Sequence, residues 1–155
     1  MAPYKKRVYY RRGGRDKYSV EQSSFVISLG AGGQEGRVVV PAVDFQGMRK
    51  IKHLTVSLAS VGDTVGSVYW ALVYVPAGTA AGNITTSTTA AVPLYEPNQF
   101  VMNCGVMDFS AGPVRITSPV SRNLNSGDSV ALILASTTST TFSVNGVVRY
   151  AVTLQ

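Results

Sequence analysis

Apolar residues along this chain recur at every second position, in short runs separated by clusters of Gly, Asn, Asp, Ser and Pro. In SSFVISL, Phe25, Ile27 and Leu29 share one face. In KIKHLTVSLAS, Leu54, Val56 and Leu58 face one way while His53, Thr55 and Ser57 face the other. A period of two marks a half-buried strand, because successive side chains of a pleated strand point to opposite faces. SVYWALVYV and DSVALILAS are apolar on both faces, which suits strands covered on both sides. No long stretch carries a helical period.

These runs predict strands over residues 23–29, 36–42, 50–60, 67–76, 99–106, 113–118, 128–136 and 142–154. Eight strands joined by turns and loops predict an all-β chain: a single eight-stranded antiparallel jelly-roll sandwich. Strand count alone leaves other Greek-key sandwiches open. In a jelly roll the links 30–36, 60–66, 107–112 and 137–141 gather at one end, and here they are short. The opposite end carries the irregular stretch 77–97, rich in Ala, Thr and Pro, and is the bulkier one. A link that long is often functional or part of an interface.

Several residues receive specific expectations. Phe100, Met102, Cys104 and Val106 alternate onto one face, which makes Cys104 a small core hydrophobe. Trp70 lies mid-strand and belongs to the core. Gly146 interrupts the apolar face of the last strand and marks a bulge. GAGGQEG (residues 30–36) is not GxGxxG, lacks a GK[ST] ending and leads into a strand, so it reads as a hairpin turn rather than a phosphate loop.

Charge adds a second zone. The chain of 155 residues carries a net +6. Residues 1–17 hold Lys5, Lys6, Arg7, Arg11, Arg12, Arg15 and Lys17 against Asp16 alone, and the remainder is neutral. The chain therefore divides into a basic N-terminal arm (1–19) and a β-rich body (20–155). Ordering the arm costs roughly 1–2 kcal/mol per residue in backbone entropy. Isolated surface ion pairs return about 0–1 kcal/mol each, so intrachain pairs do not hold it down. A polyanion does, because neutralised phosphates release counterions additively along a strand. Tyr9 and Tyr10, interleaved with the cations, add stacking that requires unstacked bases and so favours single strands. The candidate nucleic-acid-binding residues are thus Lys5, Lys6, Arg7, Tyr9, Tyr10, Arg11, Arg12, Arg15 and Lys17, with Arg49, Lys50 and Lys52 as a smaller basic patch. Arg115, Arg122 and Arg149 are scattered in sequence, and any of them could line a surface facing nucleic acid. KKR and RRGGR would also serve as nuclear import signals.

Enzymatic signals are missing. His53 is the only histidine, and no motif places a nucleophile or carboxylate beside it. One cysteine excludes an intrachain disulfide and a Cys-rich zinc site, and the aspartates show no EF-hand spacing. No catalytic, metal or cofactor site is expected. No apolar run approaches the ~20 residues that span a bilayer, and no apolar segment of a secretory signal follows the basic start, so membrane insertion is not expected.

VPAVDFQGMRKIKHLTVSLAS, WALVYVPAGT, LYEPNQFVMNCGV and SRNLNSGDSVALI resemble segments of capsid proteins from circular, Rep-encoding single-stranded DNA viruses of the circovirus- and nanovirus-like group. The resemblance runs over roughly residues 37–136. It implies a coat protein, sixty copies of which close into a T=1 icosahedral shell around circular single-stranded DNA. The slim end of each subunit would ring the fivefold axes, and the arm would face the DNA inside. It further implies a virion component that reaches the host nucleus through the import machinery. The 77–97 link is the expected major contact between copies. The arm is shorter than the long arginine-rich arms of circovirus coats. The alternative is an accessory single-stranded nucleic-acid-binding β-sandwich protein that does not assemble. A cupin would need several His ligands, and a lectin would not require a cationic tail.

Overall fold

The computed structural model describes residues 18–44, 47–62, 66–81, 100–136 and 138–154. The strands are β1 (Ser19–Leu29), β2 (Gln34–Val40), β3 (Arg49–Val61), β4 (Ser67–Val75), β5 (Phe100–Asp108), β6 (Val114–Ser118), β7 (Arg122–Leu124), β8 (Ser129–Ser136) and β9 (Phe142–Leu154). A single turn of 3-10 helix, Phe109–Ala111, follows β5. The chain is all-β, and every strand pairing is antiparallel.

The strands form two sheets. The first runs β1-β9-β3-β6, with β7 also on β3; the second runs β2-β8-β4-β5. The pairings nest: β1 meets β9, β2 meets β8, β3 meets β6 and β4 meets β5. Between the sheets lies one continuous core that takes Ile27, Leu29, Leu54 and Val56 from the first and Leu72, Leu132 and Leu134 from the second. Fully burying such a side chain contributes about 1.5–3 kcal/mol, so the alternation read in β1 and β3 directly determines which face turns inward. β4 and β8 are buried on both faces. Ala71, Val73, Ile133 and Ala135 make a second apolar cluster on the outer side of the second sheet.

Short links clip one end together. Gly32 N donates to Thr138 O at 2.7 Å and Ser136 N to Gly33 O at 2.9 Å. The start of β4 meets the end of β5 where Ser67 pairs with Asp108, which brings Gly66 and Phe109 to the same end. At the other end Gly127 N donates to Val43 O at 3.2 Å. The link after β4 begins there, and residues 82–99, with most of the expected intersubunit stretch, lie outside the described residues.

Four local expectations are corrected. The 30–33 turn, with Gly32 at φ 58, is not a hairpin: β1 and β2 lie in different sheets, and the turn carries the chain from one to the other. β7 is an additional strand, too short at three residues to show alternation. Gly146 does not mark a bulge, because β9 stays in continuous register with β1 across it. Its missing side chain makes room instead: a Cβ there would run into the Phe25 ring. Cys104 is exposed rather than core. A register shift between Leu72 and Val73 leaves an extra residue in β5 and breaks the alternation. Beyond it Gly105 lies under Trp70, where a Cβ would approach the indole to 3.0 Å, and Met107 enters the core. Asn103 supports the irregularity by accepting from Cys104 N at 2.9 Å. Trp70 itself is buried in the core, 9% exposed.

Candidate nucleic-acid interface

The outer face of the first sheet is the candidate site, and the same alternation that builds the core builds it. With Ile51, Leu54, Val56 and Leu58 turned inward, Lys50, Lys52, Thr55 and Ser57 must turn outward. On β6, inward Ile116 leaves Arg115 and Thr117 outside; on β9, inward Val148 and Tyr150 leave Arg149 outside. Strand pairing then fixes the neighbours. Thr55 stands opposite Arg149, which stands opposite Gln22 on β1. Ser57 stands opposite Arg115 on β6, and Lys50 lies between Thr153 and Asn123.

Four cations therefore share one face: Lys50, Lys52, Arg115 and Arg149. No outward position of β1, β3, β6 or β9 is an Asp or Glu. The acidic residue of β1, Glu21, accepts a hydrogen bond from Tyr150 Oη at 2.6 Å. Burial, helped by that carboxylate, pushes the Tyr150 hydroxyl well above its ordinary range and keeps it a donor. The body is neutral over residues 18–155, with seven cations and seven anions, yet four of those seven cations lie on this one surface.

His53 adds a local distortion. It has φ 54, the sole positive φ at a non-glycine position among the described residues. The β3–β9 register shifts between Lys52 and Thr55, so two residues of β3 stand against Tyr150 alone. This β-bulge turns both Lys52 and His53 outward. Beside it is an open groove of about 300 Å³, lined by Val20, His53, Thr55, Arg115, Arg149 and Ala151 among others. Lys52 Nζ donates to Tyr18 Oη at 2.8 Å and sits 5.0 Å from that ring's centroid, which docks the last arm tyrosine on the same sheet.

The remaining basic residues are elsewhere. Arg49 does not share the surface of Lys50 and Lys52. It is 3% exposed, and its guanidinium donates to the carbonyls of Pro41 and, at 3.3 Å, Asp128. The grouping of Arg49 with the two lysines is thereby corrected: one residue along a strand reverses the face, so Arg49 turns in with Ile51. Arg122 lies 4.2 Å over the Tyr74 ring. Both belong to a buried cluster around Asp128, whose carboxylate accepts from Tyr74 Oη (2.7 Å), Asn125 N (2.8 Å) and Ala77 N (3.1 Å). Burial works against the Asp128 anion, but these hydrogen bonds outweigh it and hold the carboxyl below its ordinary value. The bond to Asp128 in turn raises the Tyr74 hydroxyl. This cluster ties three links together at the end opposite the 30–33 turn and is structural.

Lys5, Lys6, Arg7, Tyr9, Tyr10, Arg11, Arg12, Arg15 and Lys17 lie outside the described residues. Among those described, no three His, Cys, Asp or Glu side chains gather in a way that would hold a metal ion. The reading from sequence allowed Arg115 and Arg149 a surface facing nucleic acid but did not join them to the lysines. Outward parity was the available signal, but the pairing of β3 with both β6 and β9 was not.

Comparison with protein-family models and with curated proteins gives no match. Among solved structures, the chain is similar to the BFDV capsid protein, a decamer in its crystal structure. The TM-score is 0.47 at 11% identity, over 89% of this chain and 98% of that one.

Proposed function

We propose that this protein is the coat protein of a small single-stranded DNA virus, a jelly-roll subunit that assembles with copies of itself into a closed T=1 shell. Its basic arm and the outer face of its first sheet would meet the packaged DNA. The observation that carries the reading is the segregation of charge: a neutral body puts four cations and no carboxylate on one outer face, while the other sheet's outer side carries an apolar cluster. Polyanion binding favours the first surface. The nested pairing supports the jelly roll, because a long antiparallel ribbon rolled up on itself pairs first strand with last and second with next to last. The sequence resemblance supports the viral class, and symmetric repetition of one contact is the physical route to a closed shell.

Electron microscopy and light scattering of the purified full chain test assembly. Sixty small domains predict particles of about 20 nm; a monomer across wide ranges of salt and concentration overturns the reading. A chain with Lys5, Lys6, Arg7, Arg11, Arg12, Arg15 and Lys17 all replaced by Gln should co-purify with far less nucleic acid and keep its β-sheet circular dichroism. Unchanged nucleic-acid content rejects the arm's packaging role. The second reading, a single-strand-binding protein that does not assemble, draws on the same basic face and is favoured if the monomer binds DNA.

A further inference from the structure

We propose that the groove at the β3 bulge is a phosphate subsite, bounded by His53, Thr55, Arg115 and Arg149, that seats a phosphodiester of a single strand crossing the first sheet. This deepens the nucleic-acid reading and rests on it.

Three independent features meet at this place. The first is donor chemistry. Two guanidiniums reach the groove from different strands, Arg115 from β6 and Arg149 from β9, on either side of β3. Planar guanidinium forks match phosphate oxygens better than a lysine point charge does. The Thr55 hydroxyl and the His53 imidazole line the same groove. No carboxylate lines it, and no salt bridge holds either arginine among the described residues. The structural arginines, by contrast, are held within the fold, Arg49 by two backbone carbonyls and Arg122 by the Tyr74 ring.

The second feature is backbone strain. A non-glycine residue at positive φ is disfavoured, although histidine tolerates it better than bulky or branched residues. Such conformations persist where the surroundings impose them, and they cluster at functional sites. Here the bulge has a defined consequence: it turns a second consecutive side chain, His53, to the outer face beside Lys52. Alternation continued from Ile51 would send His53 inward; the bulge lets Ile51 and Leu54 both face the core with two outward residues between them.

The third feature is shape. Ala151 and Val20 are small or short side chains on the groove wall, and the volume of about 300 Å³ is open to solvent. A flexible single strand can bend a phosphate into such a depression. A duplex, with a persistence length of about 50 nm, presents its phosphates on a stiff rod that meets protruding side chains first.

The test uses full-length protein freed of nucleic acid, with a short labelled oligothymidylate followed by fluorescence anisotropy over a salt series. The double variant Arg115→Gln/Arg149→Gln should bind about tenfold more weakly at low salt, a difference of about 1.4 kcal/mol. Its log–log salt slope should flatten by about 0.7 for each phosphate that is no longer neutralised. Both arginines are exposed, so the fold should be unaffected; a melt checks this. Arg37→Gln, which removes one cation from β2, should change affinity less than twofold. His53→Gly, which suits the backbone at φ 54, should leave the melting temperature unchanged or raised while weakening binding several-fold. The double variant is repeated in the chain with its seven arm cations replaced by Gln, where its effect should persist.

Equal affinity of parent and Arg115→Gln/Arg149→Gln chains in both backgrounds overturns the subsite and leaves the arm reading standing. Failure of the full parent chain to bind the oligonucleotide at all overturns the nucleic-acid reading itself. Inorganic phosphate serves as competitor. Weak displacement at matched ionic strength supports a phosphodiester held in a strand, and full displacement at low millimolar phosphate overturns it in favour of a free-phosphate site.

Discussion

The two sheets turn very different outer faces away from the core they share. The first presents Lys50, Lys52, Arg115 and Arg149 among Ser, Thr and Gln, with Val20, Val26 and Val147 also exposed on it. The second presents Ala71, Val73, Ile133 and Ala135, each at most 2% exposed. Both sheets obey one rule, alternation about a common core, so the difference resides wholly in the outward residues. A face whose strands bury only one side is free to specialise for a charged polymer. A face whose strands are apolar on both sides is committed to burial.

Placing a charge on each face should give the largest contrast. Ile133→Asp puts an unpaired carboxylate into the second sheet's cluster and should cost about 3–5 kcal/mol. That is a large share of the ~5–15 kcal/mol that holds a domain together. Ser57→Asp, on the first sheet's outer face, should change stability by no more than about 0.5 kcal/mol and weaken oligonucleotide binding. Urea unfolding reads both, and equal losses would dissolve the distinction between the faces.

Gly146→Val should come next. Its side chain would collide with Phe25, and overpacking costs typically 1–3 kcal/mol. Phe25→Ala in the same chain should recover part of that loss, a non-additivity expected of residues in contact. Additive losses would mean that the ring does not occupy the glycine's space.

Asp128→Ala should destabilise by about 1–3 kcal/mol, because three donors lose their acceptor. Neither outer face is touched, so DNA binding should survive. The carboxyl is held below its ordinary 3.8 in the folded chain, so the unfolded chain takes up the proton first as pH falls. The Asp128 contribution is therefore complete above about pH 4 and is lost as pH drops through the lower folded value. Asp128→Asn should flatten the stability profile across that acidic window. An unchanged profile would show that another carboxylate governs it.

The smaller effects sharpen the picture. Lys52→Gln should cost at most about 1 kcal/mol, since the Tyr18 contact is at the surface, while lowering oligonucleotide affinity. Reduced stability with undiminished affinity would remove Lys52 from the interface. Cys104→Ser should be neutral within about 0.5 kcal/mol, as expected of an exposed thiol. A destabilisation above about 1 kcal/mol would return Cys104 to the core.

Much of this was legible in the residues. Period two in β1, β3 and β9 named the core-facing positions, and double-sided hydrophobicity named β4 and β8 as covered. Phe25, Ile27 and Leu29, or Leu54, Val56 and Leu58, have no other low-energy arrangement than one buried face. Cys104 was misread because the alternation rule assumes an unbroken strand, and Gly146 because its missing side chain was taken for a break in one that is continuous. A bulge depends on the partner strand, and a missing side chain takes its meaning from what packs against it. Arg49 illustrates the same limit at single-residue resolution, where parity within the strand outweighs proximity to other cations in sequence.

By itself, then, the chain's amino-acid order determined an all-β body with one basic terminus, because alternation and charge blocks are local properties. The tertiary structure alone decided which distant residues became neighbours. Arg115 and Arg149 are 34 positions apart in the sequence and unremarkable there. They converge only because β6 and β9 flank β3, a pairing set by the long-range nesting of strands around a shared core rather than by anything either segment encodes alone.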